Sequence, residues 1–142
     1  MPRTYQSIVI NVPVDRAWQA VRNFHELSWA PDVIQECKAV GDKQGDQIGA
    51  RRRLNGAFLE TLVELNDKDH RLGYRIEDGP SPVSKGEVQN YYGLVQLRPV
   101  TDSNSTFIEW SSSWEAKSDE AVAFCRKIYV SLLRALKQTL ET

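Results

Sequence analysis

The sequence has few of the features that mark secreted, membrane-spanning or metal-binding proteins. Only two of its 142 residues are cysteine, Cys37 and Cys125, and neither has a histidine or cysteine close by. This argues against a disulfide framework or a zinc site and favours a reducing cytoplasm. No apolar run approaches the roughly 20 residues that cross a bilayer, and the N-terminal residues lack the cleavage site of a signal peptide. We therefore expect a cytoplasmic protein with no membrane anchor and no metal.

The sequence also has no large excess of positive or negative charge. The formal net charge is −1, so no basic field would attract nucleic acid. The sequence contains no phosphate-binding loop, no G-x-G-x-x-G and no Ser-His-Asp order. Its two histidines, His25 and His70, fall at a helix start and in a turn. Hydrolase, kinase and dinucleotide-dependent functions have no support, and we expect no cofactor.

What is present is an ordinary globular composition, with 41% hydrophobic and 26% charged residues. A chain of this length predicts one domain, residues 1–142. The β-branched residues of 3–12 predict a strand that Pro13 ends. Apolar residues at helical spacing predict a helix over 14–24, and residues 25–31 predict a second short helical turn.

The rest of the chain predicts a run of strands followed by one long helix. Short turn clusters separate six strand-like segments, which favours antiparallel neighbours over crossover helices. Ser118 and the acidic residues after it predict the start of a helix over 118–141. This helix has a broad apolar face. Only a curved sheet could cover so wide an apolar surface.

The order of these elements, with particular residues in them, resembles the polyketide cyclase/dehydrase and lipid transport superfamily, the START-like or Bet v 1-like helix-grip proteins. The resemblance implies an α+β fold in which a seven-stranded antiparallel sheet wraps round the long C-terminal helix. Two short helices after strand 1 would close one end of an apolar cavity. It rests on the segments NVPVDRAWQAVRNF, LSWAPDV, IGARRRL, LETLVELND, LGYRIEDGPSPV and FIEWSSSWEA.

Two charged residues are candidates for chemistry because of this resemblance. The branch that includes plant lachrymatory-factor synthases places an arginine and a glutamate in the cavity, in the patterns G-x-x-R and E-x-L-V-x-L. The matching positions are Arg52 and Glu60. Strand alternation is consistent with this, because Arg51 and Arg53 would share the opposite, solvent-facing side of the strand.

The hairpin register decides whether the two charges meet, and the sequence leaves it open. A two-residue loop at 55–56 sets Arg51 opposite Glu60, whereas a three-residue loop at 55–57 sets Arg52 there. Binary patterning does not settle the register. The more apolar face of the strand after the loop is the one without Glu60, so an inward Glu60 contradicts the simple pattern and would need a charge partner. A buried pair could be structural, or it could transfer a proton next to a carbonyl, as in cyclisation, dehydration or isomerisation.

Aromatic residues at alternating positions predict the wall of the cavity. Trp110, Ser112 and Trp114 share the inner face of one strand. The pattern does not decide whether Tyr91 or Tyr92 points inward. We expect a closed apolar cavity of roughly 300 Å³ or more, as ligand sites usually have. The candidate ligand-binding residues are Trp29, Tyr74, Tyr91, Trp110, Ser112 and Trp114.

These features predict binding of an apolar small molecule in an internal cavity, as a carrier or a sensor. The alternative is an enzyme of the cyclase, dehydratase or isomerase type that uses Arg52 and Glu60. A third possibility is a structural or regulatory protein whose cavity has collapsed. The sequence gives neither the identity of the ligand nor the oligomeric state.

Overall fold

A computed structural model describes all residues, 1–142. Seven strands form one sheet in the order β1-β7-β6-β5-β4-β3-β2, with every neighbouring pair antiparallel. The elements in chain order are β1 (Arg3–Ile10), α1 (Val14–Val21), β2 (Cys37–Val40), β3 (Arg51–Leu54), β4 (Phe58–Asn66), β5 (Arg71–Asp78), β6 (Gln89–Val100), β7 (Ser105–Glu115) and α2 (Glu120–Glu141).

The long helix α2 packs its apolar face against the inner face of the sheet, so the predicted helix-grip architecture is confirmed. Its buried residues recur at helical spacing and join one core with the inward side chains of the strands. Polar contacts fix the helix at its far end, where Lys137 Nζ donates to the Val9 carbonyl at 2.9 Å and Thr139 Oγ1 donates to the Trp29 carbonyl at 2.8 Å. Neither helix combines the length and apolar character needed to cross a lipid bilayer.

Only one short helix follows β1, so the prediction of two was wrong. Residues 25–31 form separate turns instead of a helix. The Asn23 side chain accepts a hydrogen bond from the backbone N–H of His25, and that of Glu26 accepts one from Ser28. Such side-chain bonds compete with the helical backbone pattern. Pro31 also disfavours a helical conformation at the residue before it.

Element ends differ from the prediction by two or three residues. Strand β1 ends at Ile10 instead of residue 12, and α1 ends at Val21 instead of residue 24. Helix α2 begins at Glu120, and Ser118 does not cap it. Its N-cap residue is Asp119, which forms no side-chain capping hydrogen bond.

Candidate functional site

Arg52 on β3 and Glu60 on β4 form a buried ion pair on the inner side of the sheet. The Arg52 Nε donates to Glu60 Oε1 at 2.8 Å, and Nη2 lies 2.6 Å from the same oxygen. Each side chain is only 6% exposed. No hydrogen bond within the protein reaches the other Glu60 oxygen, Oε2. This carboxylate oxygen is therefore free to accept a hydrogen bond or a proton.

The loop before β2 completes the surroundings of the guanidinium. Arg52 Nη1 donates to the Phe24 carbonyl at 3.0 Å, and its Cζ lies 3.8 Å from the centre of the Phe24 ring. A cation over an aromatic face is attracted by the ring quadrupole. The charge is thus held by a carboxylate, a carbonyl and a ring, which fixes its direction.

The hairpin register explains why the charged pair faces inward. Leu54 pairs with Phe58, which leaves a three-residue loop at 55–57 and sets Arg52 opposite Glu60. Of the two open registers, the second is therefore the correct one. A bulge after Leu62 then shifts the alternation of β4. Because of that bulge, Leu65, which strict alternation from Glu60 would point outward, is half-buried and packs against the core.

The neighbouring arginines lie on the outer side of β3. Arg53 is exposed. Arg51 is half-buried, and its Nη2 lies 2.9 Å from Glu77 Oε2 in a surface ion pair. The predicted division of the three arginines into one inward and two outward side chains is confirmed.

A second polar group in the core consists of three tyrosine hydroxyls and one indole. Trp110 Nε1 donates to the Tyr74 hydroxyl at 3.0 Å, and Tyr74 donates to Tyr129 at 2.8 Å. Tyr129 and Tyr91 share a further short hydrogen bond in which either oxygen could be the donor. All four side chains are almost fully buried. Tyr129 comes from α2, so this group joins the helix to the sheet.

Tyr91 points inward together with Gly93 and Val95, which alternate along β6 with the outward Tyr92 and Leu94. The pairing of β6 with β7 shifts between Gln89 and Tyr92, and Asn90 has a positive φ of 54°, a conformation that asparagine tolerates better than most residues. Tyr91 is buried, whereas Tyr92 lies on the outer face and donates to Glu64 Oε1 at 2.9 Å.

Burial keeps the core tyrosines protonated. Desolvation raises the pKa of Tyr74, Tyr91 and Tyr129 well above the usual tyrosine value. Burial also raises the pKa of Tyr92 to about 12, with a further contribution from its hydrogen bond to Glu64. Each hydroxyl is therefore a hydrogen-bond donor across the neutral pH range.

We expect the protein to lose stability above about pH 10, where tyrosines of the unfolded chain ionise. The folded protein holds these protons more tightly than the unfolded chain. Their contribution to stability is therefore fully present below about pH 10 and is lost as the pH rises through the pKa values of the folded state, about 12 for Tyr92. Urea unfolding at increasing pH, with tyrosinate absorbance as a second signal, measures the effect. Tyr92→Phe should reduce the slope, whereas full tyrosinate absorbance of the native protein near pH 10 would contradict the prediction.

The ion pair and the tyrosine cluster line one cavity between the sheet and α2. The cavity volume, taken as the space that the centre of a water molecule can occupy, is about 40 Å³. This is enough for a few water molecules. The expected volume of roughly 300 Å³ was too large, because the aromatic side chains fill much of the space. The lining residues are Leu27, Ile34, Arg52, Leu54, Phe58, Glu60, Tyr74, Ile76, Tyr91, Trp110, Cys125, Ile128, Tyr129 and Leu132.

Three of the residues expected to bind a ligand lie elsewhere. Trp29 lines a smaller neighbouring cavity of about 20 Å³, to which Arg52 also contributes. Trp114 is buried behind the wall and stacks on Tyr91, with ring centroids 5.1 Å apart. Ser112 faces inward, but its hydroxyl shares a 2.6 Å hydrogen bond with Thr4. Sequence reasoning missed Tyr129, whose only signal was a polar atom on the apolar face of α2.

No group of three or more His, Cys, Asp or Glu residues is arranged to hold a metal ion. The chemistry available at the cavity is that of a carboxylate, a guanidinium and neutral phenols. A carboxylate oxygen can accept a proton, while the guanidinium and the phenols can stabilise an oxygen on which negative charge develops.

Comparisons with known proteins agree with this fold. A family model described as polyketide cyclase / dehydrase and lipid transport matches residues 1–141. A protein from Nitrosospira multiformis with a solved structure is 50% identical to this chain. The alignment covers 96% of this chain and 94% of the Nitrosospira protein, with a TM-score of 0.95. The protein XoxI from Bacillus cereus is 29% identical, with 100% and 99% coverage and a TM-score of 0.79.

An uncharacterised protein from Bacillus thuringiensis is 26% identical over 99% of both chains, with a TM-score of 0.78. No curated protein matched the chain.

Proposed function

The chain belongs to the polyketide cyclase/dehydrase and lipid transport family, and on that premise we propose that it binds a compact, largely apolar small molecule in the cavity between the sheet and α2. The observation that carries the proposal is the composition of the wall, in which 12 of 14 lining residues are hydrophobic. Such a wall favours apolar ligands, and a few convergent polar groups orient them. The two free thiols, Cys37 and Cys125, favour a reducing compartment such as the cytoplasm as the place of this carrier or sensor.

Entry of a ligand requires side chains to move, because the present space holds only a few waters. Phe58 of β4 and Phe124 of α2 stack with ring centroids 6.4 Å apart and are both half-buried. Ile128, one turn further along α2, is also half-buried and lines the cavity. These apolar, partly exposed side chains favour this side of the cavity as the entrance.

Methylenecyclohexane, an apolar probe without hydrogen-bonding groups, should bind the protein in a saturation-transfer NMR experiment. Leu132 lines the cavity, so Leu132→Phe should fill the space and remove most of the signal. Lys127→Phe, at an exposed position of the same helix, is the matched control and should leave the signal intact. Absence of binding, or binding that Leu132→Phe does not change, would contradict the proposal. Native mass spectrometry of the purified protein would identify a ligand that co-purifies.

A second candidate function is proton transfer next to a carbonyl group, and the free Oε2 of Glu60 favours it. This oxygen belongs to a cavity-lining residue and accepts no hydrogen bond from the protein. In the reaction, Oε2 would take a proton from the carbon beside a carbonyl group, and the electron pair of that C–H bond would form an enolate. Arg52 or a tyrosine hydroxyl would stabilise the enolate oxygen. Deuterium exchange into a ketone tests this function.

A further inference from the structure

A groove runs along the surface between β1, an outer strand of the sheet, and the flank of α2. It has a volume of about 520 Å³. Residues 5–8 of β1 form one wall, and Arg126, Val130 and Arg134 of α2 lie along the other. The groove shares no lining residue with the cavity that contains the Arg52–Glu60 pair, so it is a separate feature of the molecule.

The β1 wall of the groove is a free strand edge, because β1 pairs only with β7. Towards the end of the strand, the Val9 carbonyl and the Asn11 N–H form hydrogen bonds with side chains of α2. The backbone groups of odd-numbered residues therefore point away from β7. By the same alternation, the N–H and C=O groups of Tyr5 and Ser7 point towards the groove. Such an edge is a template for a further strand.

The α2 wall carries positive charge that no acidic side chain neutralises. Arg126 and Arg134 are exposed, and neither forms an ion pair. No acidic residue lines the groove, and α2 has none between residues 121 and 140. The groove is therefore complementary to a negatively charged partner, although the net charge of the protein is −1.

The spacing of the two arginines matches that of side chains on an extended chain. Eight residues of α-helix, from Arg126 to Arg134, rise by about 12 Å. Four residues of a β-strand span about 13 Å, and residues i, i+2 and i+4 share one face. Acidic side chains at i and i+4 of a strand therefore reach one arginine each. The residue between them faces Val130, which is half-buried and lies midway between the arginines.

We propose that this groove binds an extended acidic segment of a partner protein, which adds to the free edge of β1 as a further strand. Main-chain hydrogen bonds to Tyr5 and Ser7 supply affinity, and acidic side chains four residues apart on Arg126 and Arg134 supply specificity. The same arginines repel a basic strand, so they also protect this edge against unspecific pairing. This interaction does not depend on ligand binding in the internal cavity.

The peptide acetyl-Thr-Glu-Thr-Val-Thr-Glu-Thr-amide is a minimal probe, because alternation puts both glutamates and the valine on one face. NMR titration should show that it binds the wild-type protein. The reordered peptide acetyl-Thr-Glu-Glu-Val-Thr-Thr-Thr-amide has its glutamates on opposite faces and should bind about 2- to 5-fold more weakly, the factor of one exposed ion pair. With the first peptide at about ten times its Kd, hydrogen exchange at the Tyr5 and Ser7 amides should slow about 10-fold, because these amides exchange only in the free protein.

Variants of the two arginines test the role of charge. Arg126→Gln with Arg134→Gln should weaken binding of the first peptide about 3- to 30-fold, the range for two exposed ion pairs. Arg16→Gln with Arg53→Gln removes two exposed positive charges outside the groove and is the matched control, which should leave binding unchanged. Arg126→Glu with Arg134→Glu should instead bind a peptide that has lysine in place of both glutamates, which also shows that this variant is folded.

Four results would overturn the proposal. The wild-type protein does not bind the first peptide, or it binds without slower exchange at Tyr5 and Ser7. Wild-type dimers that Arg126→Gln with Arg134→Gln dissociates would assign the groove to a second copy of the chain. Binding to phosphatidylserine vesicles that requires both arginines, without binding of the peptide, would assign the basic side of α2 to a membrane surface.

Discussion

Arg52→Met should lower the free energy of unfolding by about 3–5 kcal/mol, the usual cost of removing one partner from a buried ion pair. Glu60 is only 6% exposed and receives its hydrogen bond from Arg52. Without the guanidinium, its charge remains in an apolar cavity with no partner. The Phe24 carbonyl, which accepts from Arg52 at 3.0 Å, also loses its donor. Urea unfolding of wild type and variant measures the difference.

The double variant Arg52→Met with Glu60→Leu separates the cost of an unpaired charge from that of lost packing. Replacing a buried pair with apolar residues of similar volume is often neutral or stabilising, so the double variant should recover most of the loss. Arg53→Met, at an exposed position of the same strand, is the control and should change stability by no more than about 0.5 kcal/mol. A loss below about 1 kcal/mol for Arg52→Met would show that the pair is effectively solvated.

Strand alternation predicted that Arg52 lies on the face opposite to Arg51 and Arg53, but the inward direction of that face came only from the family resemblance, and the register that brings Arg52 to Glu60 stayed open. Strand alternation puts residues 51 and 53 on one face and 52 on the other, whatever the hairpin loop. The choice between loops of two and three residues depends on backbone torsions at Asn55 and Gly56, which both have positive φ in the structure. An Asn-Gly pair is compatible with either loop, so the register remained open.

Patterning also failed in β4 and β6, in the first case because of a bulge and in the second because both faces of the strand are apolar. A bulge preserves the composition of a strand but reverses which residues face inward beyond it. Such a shift after Leu62 places Leu65 against the core. In β6 the residues around Tyr91 and Tyr92 are apolar or aromatic on both faces of the strand, so the pattern could not choose between them. Periodicity assigns one face to a whole strand, so it could not place these residues.

The cavity volume and the role of Tyr129 depend on side-chain packing, which periodicity does not describe. The sequence identified α2 as a helix with a broad apolar face, and Tyr129 lay on that face. Whether its ring leaves space or fills it depends on neighbours from other strands. Here it stacks on Trp110, with ring centroids 4.9 Å apart, and its hydroxyl joins those of Tyr74 and Tyr91. The aromatic residues that marked a cavity in the sequence thus occupy much of it.

If the cavity supports proton transfer, wild-type protein in D₂O should incorporate deuterium at the carbon beside the carbonyl group of cyclohexanone faster than buffer alone. Glu60→Gln should reduce this rate by about 10²–10⁴-fold, the contribution typical of a positioned general base. The amide keeps the shape of the side chain but cannot take the proton. NMR of the ketone measures the rate, and its binding should persist in the variant.

Glu64→Gln is the matched control for that experiment, because Glu64 lies on the same strand but on the outer side of the sheet. Its Oε2 accepts from Arg71 Nε at 2.8 Å and its Oε1 from the Tyr92 hydroxyl at 2.9 Å, so it has no access to the cavity. Exchange that is equal in both variants would assign the activity to the surface or the buffer. Binding of cyclohexanone without any exchange in wild type would remove Glu60 as a base and leave a carrier, in which the Arg52–Glu60 pair only orients the strands and the ligand.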